Sequence, residues 1–213
     1  MNGIIQLFEE KYELKKIDVE GYDRMKVGPM KFQIEAYDVK NVGRLSHMKG
    51  SAMFGLMKMD TIIFTSYEKD VPLFSYDRIK IGKKDTLMFE VYDTCKEHKE
   101  YPGLEKAKEA FDVFTAYPLK KAWYDSIKRK ESLSVTTKRK HDYEPLIEEY
   151  IKAFLDIVDD SDDISKEEKK KLNSGYVDGL LEKGGASTDM FIKKIGKEKT
   201  SILFRKYLFG TED

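Results

Sequence analysis

The run Leu73 to Ile81 carries the residue in this chain whose type and setting point most directly to chemistry. Read as a strand, its side chains alternate between two faces. Leu73, Ser75, Asp77, Ile79 and Ile81 share one, and Phe74, Tyr76, Arg78 and Lys80 share the other. Asp77 therefore lies among isoleucines. A carboxyl group there is costly to ionise, so it is either hydrogen-bonded to a nearby loop amide or held protonated. A raised pKa is what an acid catalyst needs near neutral pH. The pattern alone leaves both readings open.

Other chemistries are limited by what the chain lacks. Its one cysteine, Cys95, allows no internal disulfide, and a protein-held iron–sulfur cluster uses about four thiolates. The histidines, at positions 47, 98 and 141, form no close-spaced pair of the kind that binds zinc or haem, so no metal site is expected. Redox chemistry would have to draw its electrons from outside. No Walker loop, GxGxxG, GxSxG or HExxH is present, which counts against the common nucleotide, flavin and hydrolase readings. Asp159 to Asp163, DDSDD, suggests a calcium loop. Its sixth position is Ile164 where glycine is needed and its twelfth is Lys170 where glutamate is needed, so it reads as a solvated linker.

With 213 residues, 40% hydrophobic and 12% aromatic, the chain can bury one sizeable core, and a single domain spanning 1–213 is expected. Lys+Arg and Asp+Glu both number 39, so the net charge is zero. No global field favours nucleic acid or an anionic membrane, and any such preference must come from a local patch. The opening MNGIIQLFEEKYELKK has neither a basic leader nor a continuous apolar core, and no apolar run approaches the ~20 residues that span a bilayer. The expectation is a cytoplasmic protein with neither nucleic acid nor membrane as partner.

The elements that would position Asp77 follow from periodicity. Asn2 to about Leu14 has helical spacing through Ile4, Leu7, Phe8 and Tyr12. Tyr22 to Val27 reads as a strand, Met30 to Val39 alternates cleanly, and Arg44 to Lys58 reads as two strand pieces weakened by Gly50 and Gly55. Thr61 to Tyr67, Leu73 to Ile81 and Thr86 to Asp93, rich in β-branched and aromatic residues and joined by short turns, form an antiparallel meander. That gives roughly six strands. Beyond Asp93 the pattern becomes helical: Leu104 to Ala116, Leu119 to Lys130, Tyr143 to Val158, a helix opened by the Ser165/Glu168 capping signature, Ser187 to Ile195 and a last one to Phe209. Strands followed by helices predict an α+β fold, one antiparallel sheet covered by helices. Lys120, Lys121, Lys128, Arg129, Lys130, Lys138, Arg139 and Lys140 make a basic stretch that could meet an acidic protein or the carboxylates of a ligand.

Several segments, in matching order from about Met30 onward, resemble the ferredoxin-dependent bilin reductases. Phe64, then Val71-Pro72-Leu73-Phe74 and Asp77, is similar to that family's central sheet motif; Arg44-Leu45-Ser46-His47 resembles its R-x-x-H segment; and Ser187 to Phe209, with Gly196 and the ending Tyr207-Leu208-Phe209-Gly210, resembles its closing helix pair. The resemblance implies an α/β/α sandwich holding a linear tetrapyrrole between the sheet and the C-terminal helices. It also implies no redox cofactor in the chain itself, ferredoxin or a flavodoxin-like acidic protein as electron donor, and a biliverdin-like bilin as substrate.

By the same resemblance, Asp77 falls on the family's proton-donating aspartate. Asp60 falls where members have histidine or asparagine, His47 on a second histidine near the bilin, and Lys49 where one branch has glutamate. A further aspartate of some members falls on Gly185, with Asp189 one helical turn later as its stand-in. The expected catalytic set is Asp77, Asp60 and His47, with Lys49 and Asp189 contacting the bilin. The alternatives are a non-catalytic module that binds haem or a tetrapyrrole, and a structural domain with no ligand.

Overall fold

The strict alternation in Met30–Val39, where Met30, Phe32, Ile34 and Ala36 are all buried, sets one long strand around which the remainder pairs. The structure, a computed structural model, describes residues 3–138 and 143–212. In chain order the elements are α1 (Gly3–Lys11), β1 (Leu14–Ile17), β2 (Arg24–Val27), β3 (Met30–Val39), β4 (Gly43–Ala52), β5 (Met57–Ser66), β6 (Leu73–Ile81), β7 (Lys84–Tyr92), α2 (Pro102–Glu109), β8 (Thr115–Ala116), β9 (Leu133–Thr137), α3 (Glu144–Asp160), α4 (Lys166–Lys183), α5 (Ala186–Ile195) and α6 (Lys197–Ile202). A π-helical turn, Leu203–Leu208, continues α6. All the described strands join one antiparallel sheet in the order β1-β3-β4-β5-β6-β7-β9-β8, and β2 also pairs with β3.

Each face of the sheet has its own core, as period-two alternation requires. On one, Leu45, Ile62, Phe64, Phe74, Tyr76 and Phe89 pack against α1, α2 and α3 through Phe8, Leu104, Tyr150 and Phe154. On the other, Phe32, Ile34, Met48, Ile63, Leu73 and Tyr92 pack against α4, α5 and the C-terminal turn through Tyr176, Leu180, Phe191, Phe204 and Leu208. The expected sandwich of one antiparallel sheet between helices is the observed fold. No helix among the described residues is long and apolar enough to cross a membrane.

Four expectations are corrected. Helix α1 stops at Lys11, and Leu14 opens a strand, because Leu14–Ile17 pairs with Ala36–Val39 at the sheet edge. Strand β5 begins at Met57 instead of Thr61, since β4 and β5 form one long hairpin with Ala52 opposite Met57. The helix expected over Leu119 to Lys130 is an extended loop with one tight helical turn, Trp123–Ile127, and the apolar spacing there serves contacts with α4 instead. The strands β8 and β9 were not anticipated either, so with β1 the sheet has nine strands where roughly six were expected; β9 reads as polar, but pairing with β7 satisfies its backbone. The basic positions Arg139 and Lys140, and His141, lie outside the described residues.

Asp159 to Asp163 is more than a solvated linker. Asp159 accepts from Tyr12 and pairs with Lys11 at 2.6 Å, and Asp163 pairs with Lys69 at 2.7 Å, so the segment fastens α3 to α1 and to the β5–β6 loop. Beside it Lys169, fully buried on α4, donates to the carbonyls of Val71 and Thr94 at 2.5 and 2.7 Å. Burial lowers its pKa from the usual lysine value. These bonds bind α4 to both ends of the β6–β7 hairpin and so fix the helical wall that faces Asp77.

Candidate functional site

Strand pairing determines what Asp77 meets. Thr61 on β5 and Met88 on β7 lie directly across from it, and Ser75 and Glu90 form the next pair along the same face. The Thr61 hydroxyl donates to one Asp77 carboxylate oxygen, and the Ser75 hydroxyl donates to the other at 3.2 Å. This face fronts a cavity of about 550 Å³ between the sheet and the C-terminal helices. A volume of that size suits a small organic ligand. The side chain of Asp77 keeps some accessible surface because the cavity opens against it, although protein surrounds it closely.

The electrostatics follow from that setting. Burial pushes the Asp77 carboxyl up to about 6; the nearby charges of Glu90 and Asp60 act in the same direction, and the Thr61 and Ser75 hydroxyls oppose them. Both protonation states are therefore accessible near neutral pH, as proton transfer requires. Removing one opposing donor should move the group predictably. Thr61→Val is expected to raise the Asp77 pKa above about 6, shifting its carboxyl titration, followed by infrared or carbon NMR, to higher pH. An unmoved titration would mean that the Thr61 hydroxyl does not set this acid.

The cavity walls are aromatic and apolar, with Tyr92, Tyr124, Tyr176, Phe204 and Leu208 among the lining. Burial raises the pKa of Tyr92 and Tyr176, so their phenols stay neutral. Their rings stand 4.5 Å apart, and Tyr124 meets Tyr92 edge to face at 5.7 Å. Trp123 holds the loop that carries Tyr124 against α4. Its indole donates to the Gly184 carbonyl at 2.8 Å, and a side chain at Gly179 would run into its ring. At the rim stand Lys120 and Lys128, the latter paired with Glu90 at 2.6 Å.

The other sequence candidates are not gathered around Asp77. Alternation along β5 puts Asp60 on the opposite face with Ile62 and Phe64, and His47 lies on that same face of β4 with Leu45. The two contact each other, His47 Nε2 to Asp60 Oδ1, at 2.6 Å. His47 is buried beneath a separate trough, and Asp60 and Lys49 line that trough. One ligand shared by Asp77, Asp60 and His47 is thus not what the geometry offers, because the thickness of the sheet lies between them. Asp189 is exposed at the start of α5, and Gly185, not Asp189, lines the cavity.

Residues that the sequence did not single out complete the cavity: Thr61, Ser75, Glu90, Tyr92 and Tyr176. Ser75 already shared the Asp77 face by alternation within β6, and Thr61 and Glu90 could have been found by carrying the alternation through β5 and β7 once the register was known. Tyr176 comes from α4, about a hundred residues downstream, and had no local signal. Arg44, the first residue of the R-x-x-H segment, has a positioning role. Its guanidinium donates to the Lys206 carbonyl at 2.6 Å and Thr65 donates to the Phe209 carbonyl at 2.7 Å, which ties the C-terminal turn to the sheet.

Three members of the basic stretch, Lys128, Arg129 and Lys130, form internal ion pairs. Arg129 bonds Glu131 at 3.2 Å and stacks over Tyr101, and Lys130 pairs with Glu100 and Glu105. Only Lys120 and Lys128 of this stretch line the cavity among the described residues.

No protein-family model matches the sequence, and no curated protein matches it either. Among solved structures, the chain is similar to phytochromobilin synthase from tomato in complex with biliverdin, with a TM-score of 0.76 and 12% sequence identity, over 98% of this chain and 82% of that one. At that identity the likeness is one of fold.

Proposed function

We propose that this chain is an oxidoreductase that reduces a linear tetrapyrrole of the biliverdin class in the cavity between the sheet and the C-terminal helices. Reduced ferredoxin, or a similar acidic one-electron donor, supplies the electrons. The observation that carries the reading is Asp77, an acid with a pKa of about 6 aimed into an aromatic-walled cavity. The fold shared with a biliverdin-bound synthase and the ordered sequence segments support it.

Reducing one double bond of a bilin takes two electrons and two protons. An electron enters a conjugated pyrrole system more easily once that system is protonated, so a neutral acid in contact with the bilin lowers the barrier to each one-electron step. Asp77 donates that proton and is reprotonated from solvent. Thr61 and Ser75 orient its carboxyl, the tyrosines flank the rings, and Lys120 and Lys128 meet the propionates. Asp60 and His47 remain a coupled pair on the far side of the sheet, available to adjust the charge near Asp77 without touching the bilin.

The test is a two-stage titration of the purified chain. Biliverdin added in the dark is expected to give a bound spectrum distinct from free pigment, and reduced ferredoxin added without oxygen is expected to bleach it and yield a new product band. A bound spectrum that reduced ferredoxin leaves unchanged would replace this reading with the non-catalytic binding module. Absence of any bound spectrum would remove the bilin altogether.

A further inference from the structure

Seven large apolar side chains are exposed among the described residues, and four of them, Met53, Phe54, Leu56 and Ile81, sit on two adjoining hairpin tips at one end of the sheet. The Gly82 amide donates to the Leu56 carbonyl at 3.1 Å, which joins the β4–β5 tip to the β6–β7 tip. Met53 and Phe54 both adopt the left-handed backbone region, with φ of 53° and 54°. That region is unfavourable for side chains of this kind. The turn therefore holds Phe54 fully out in solvent at a conformational cost, where a folded chain gains nothing from it.

The adjoining sheet face, opposite the Asp77 cavity, is cationic. Its trough, about 760 Å³, is lined by Arg24, Lys26, Lys31, Lys49 and Lys58, all exposed and without an ion-pair partner among the described residues. At the trough edge Arg78 and Lys80 are bound to Asp85. The one acid in the trough lining, Asp60, is held by His47. A chain of zero net charge here gathers five exposed cations beside an exposed apolar tip.

We propose that these hairpin tips and the cationic trough form a docking surface for an anionic lipid bilayer, with Phe54, Met53, Leu56 and Ile81 entering the interface and the lysines meeting lipid phosphates. The complementarity is twofold. The apolar tips suit the headgroup–acyl boundary, and long lysine side chains keep their charge in the headgroup layer while their stems cover apolar surface. An acidic protein would satisfy the cations, but it leaves a fully exposed aromatic tip unexplained. The absence of a spanning helix among the described residues concerns crossing a bilayer and not lying on one. The surface is independent of the bilin reading, since it uses the other face of the sheet.

The experiment is co-sedimentation of the full chain with vesicles of phosphatidylcholine alone and of phosphatidylcholine with about 30% phosphatidylserine, with folding checked by circular dichroism and melting temperature. The chain is expected to sediment with the anionic vesicles and not with the neutral ones. Lys49→Glu or Lys58→Glu should each lower partitioning about fivefold or more. Phe54→Asn should lower it about tenfold or more. Asn tolerates the left-handed region better, so the same variant should melt no lower than the wild type. Failure to bind anionic vesicles would overturn the proposal. So would binding that Phe54→Asn leaves intact, because that surface would then be purely electrostatic and suited to an acidic protein.

Discussion

Asp77→Asn is expected to slow reduction of a bound bilin by about 10² to 10⁴, the usual cost of removing a general acid, while leaving pigment binding nearly unchanged. Asparagine keeps the size of the side chain and an acceptor oxygen for the Thr61 hydroxyl, and its amide NH2 can donate to the Ser75 hydroxyl oxygen instead of accepting from it, but it has no acidic proton to give. Stopped-flow spectra without oxygen should show the bilin taking one electron and halting as a radical that electron spin resonance detects. Wild-type turnover by the variant would mean that the proton comes from another group.

Stability should move the other way from activity. The folded-state pKa of Asp77, about 6, lies above the ordinary aspartate value of 3.8, so the folded protein binds this proton more tightly than the unfolded chain does. Stability from this group is greatest below about 4 and is lost as pH rises through about 6. At pH 7 the ionised carboxyl costs on the order of 2 kcal/mol, a cost that asparagine does not carry. Asp77→Asn should therefore melt no lower than wild type at pH 7, and the difference between them should narrow toward pH 4. A variant that melts far lower at pH 7 would make Asp77 a structural hydrogen-bonding residue. For wild type, the rate of the protonation-limited step should fall as pH rises beyond about 6.

Phe74→Ala, three residues before Asp77 on the same strand, is expected to do the reverse, costing about 3–5 kcal/mol of stability. Phe74 is completely buried on the opposite face; its ring stacks on Phe154 at 4.6 Å and lies 5.8 Å from Phe89 and 6.3 Å from Tyr150. Deleting the ring leaves a void in a cluster tied together by α3, which cannot collapse to fill it. Domains of this kind are commonly stable by about 5–15 kcal/mol, so the loss would leave a marginal protein. Chemical denaturation measures it directly. A loss under about 1 kcal/mol would show that α3 repacks and that this face of the sheet is not the rigid support of the site.

These two opposed outcomes rest on alternation in one strand, and that much was legible without any structure. The period-two pattern of Leu73 to Ile81 separated Asp77 from Phe74 because a strand's geometry is local. Met30–Val39 was readable end to end for the same reason, as was α3 from its single apolar stripe. The layered fold followed from strands preceding helices, and the sheet between two helical layers is what those patterns built.

What the sequence left open depended on contacts between distant residues. Whether Asp60 and His47 join Asp77 turned on which face of β4 and β5 they occupy, and a shift of one residue in a strand sends every side chain to the other side. The β4–β5 and β5–β6 registers fixed that, the second placing Thr61 across from Asp77 and turning Asp60 away. The segment 119–130 had helical spacing, but it became a loop because Trp123 packs where Gly179 on α4 leaves room, a gain no local propensity encodes. The basic stretch looked available in sequence, but Lys128, Arg129 and Lys130 in it are paired, while the trough's cations are scattered over β2 to β5 and converge only when those strands lie side by side. Composition and periodicity determined the layers and the acid on its apolar face; strand register and helix docking decided what the acid meets, because both are settled by the packing of residues far apart in the chain.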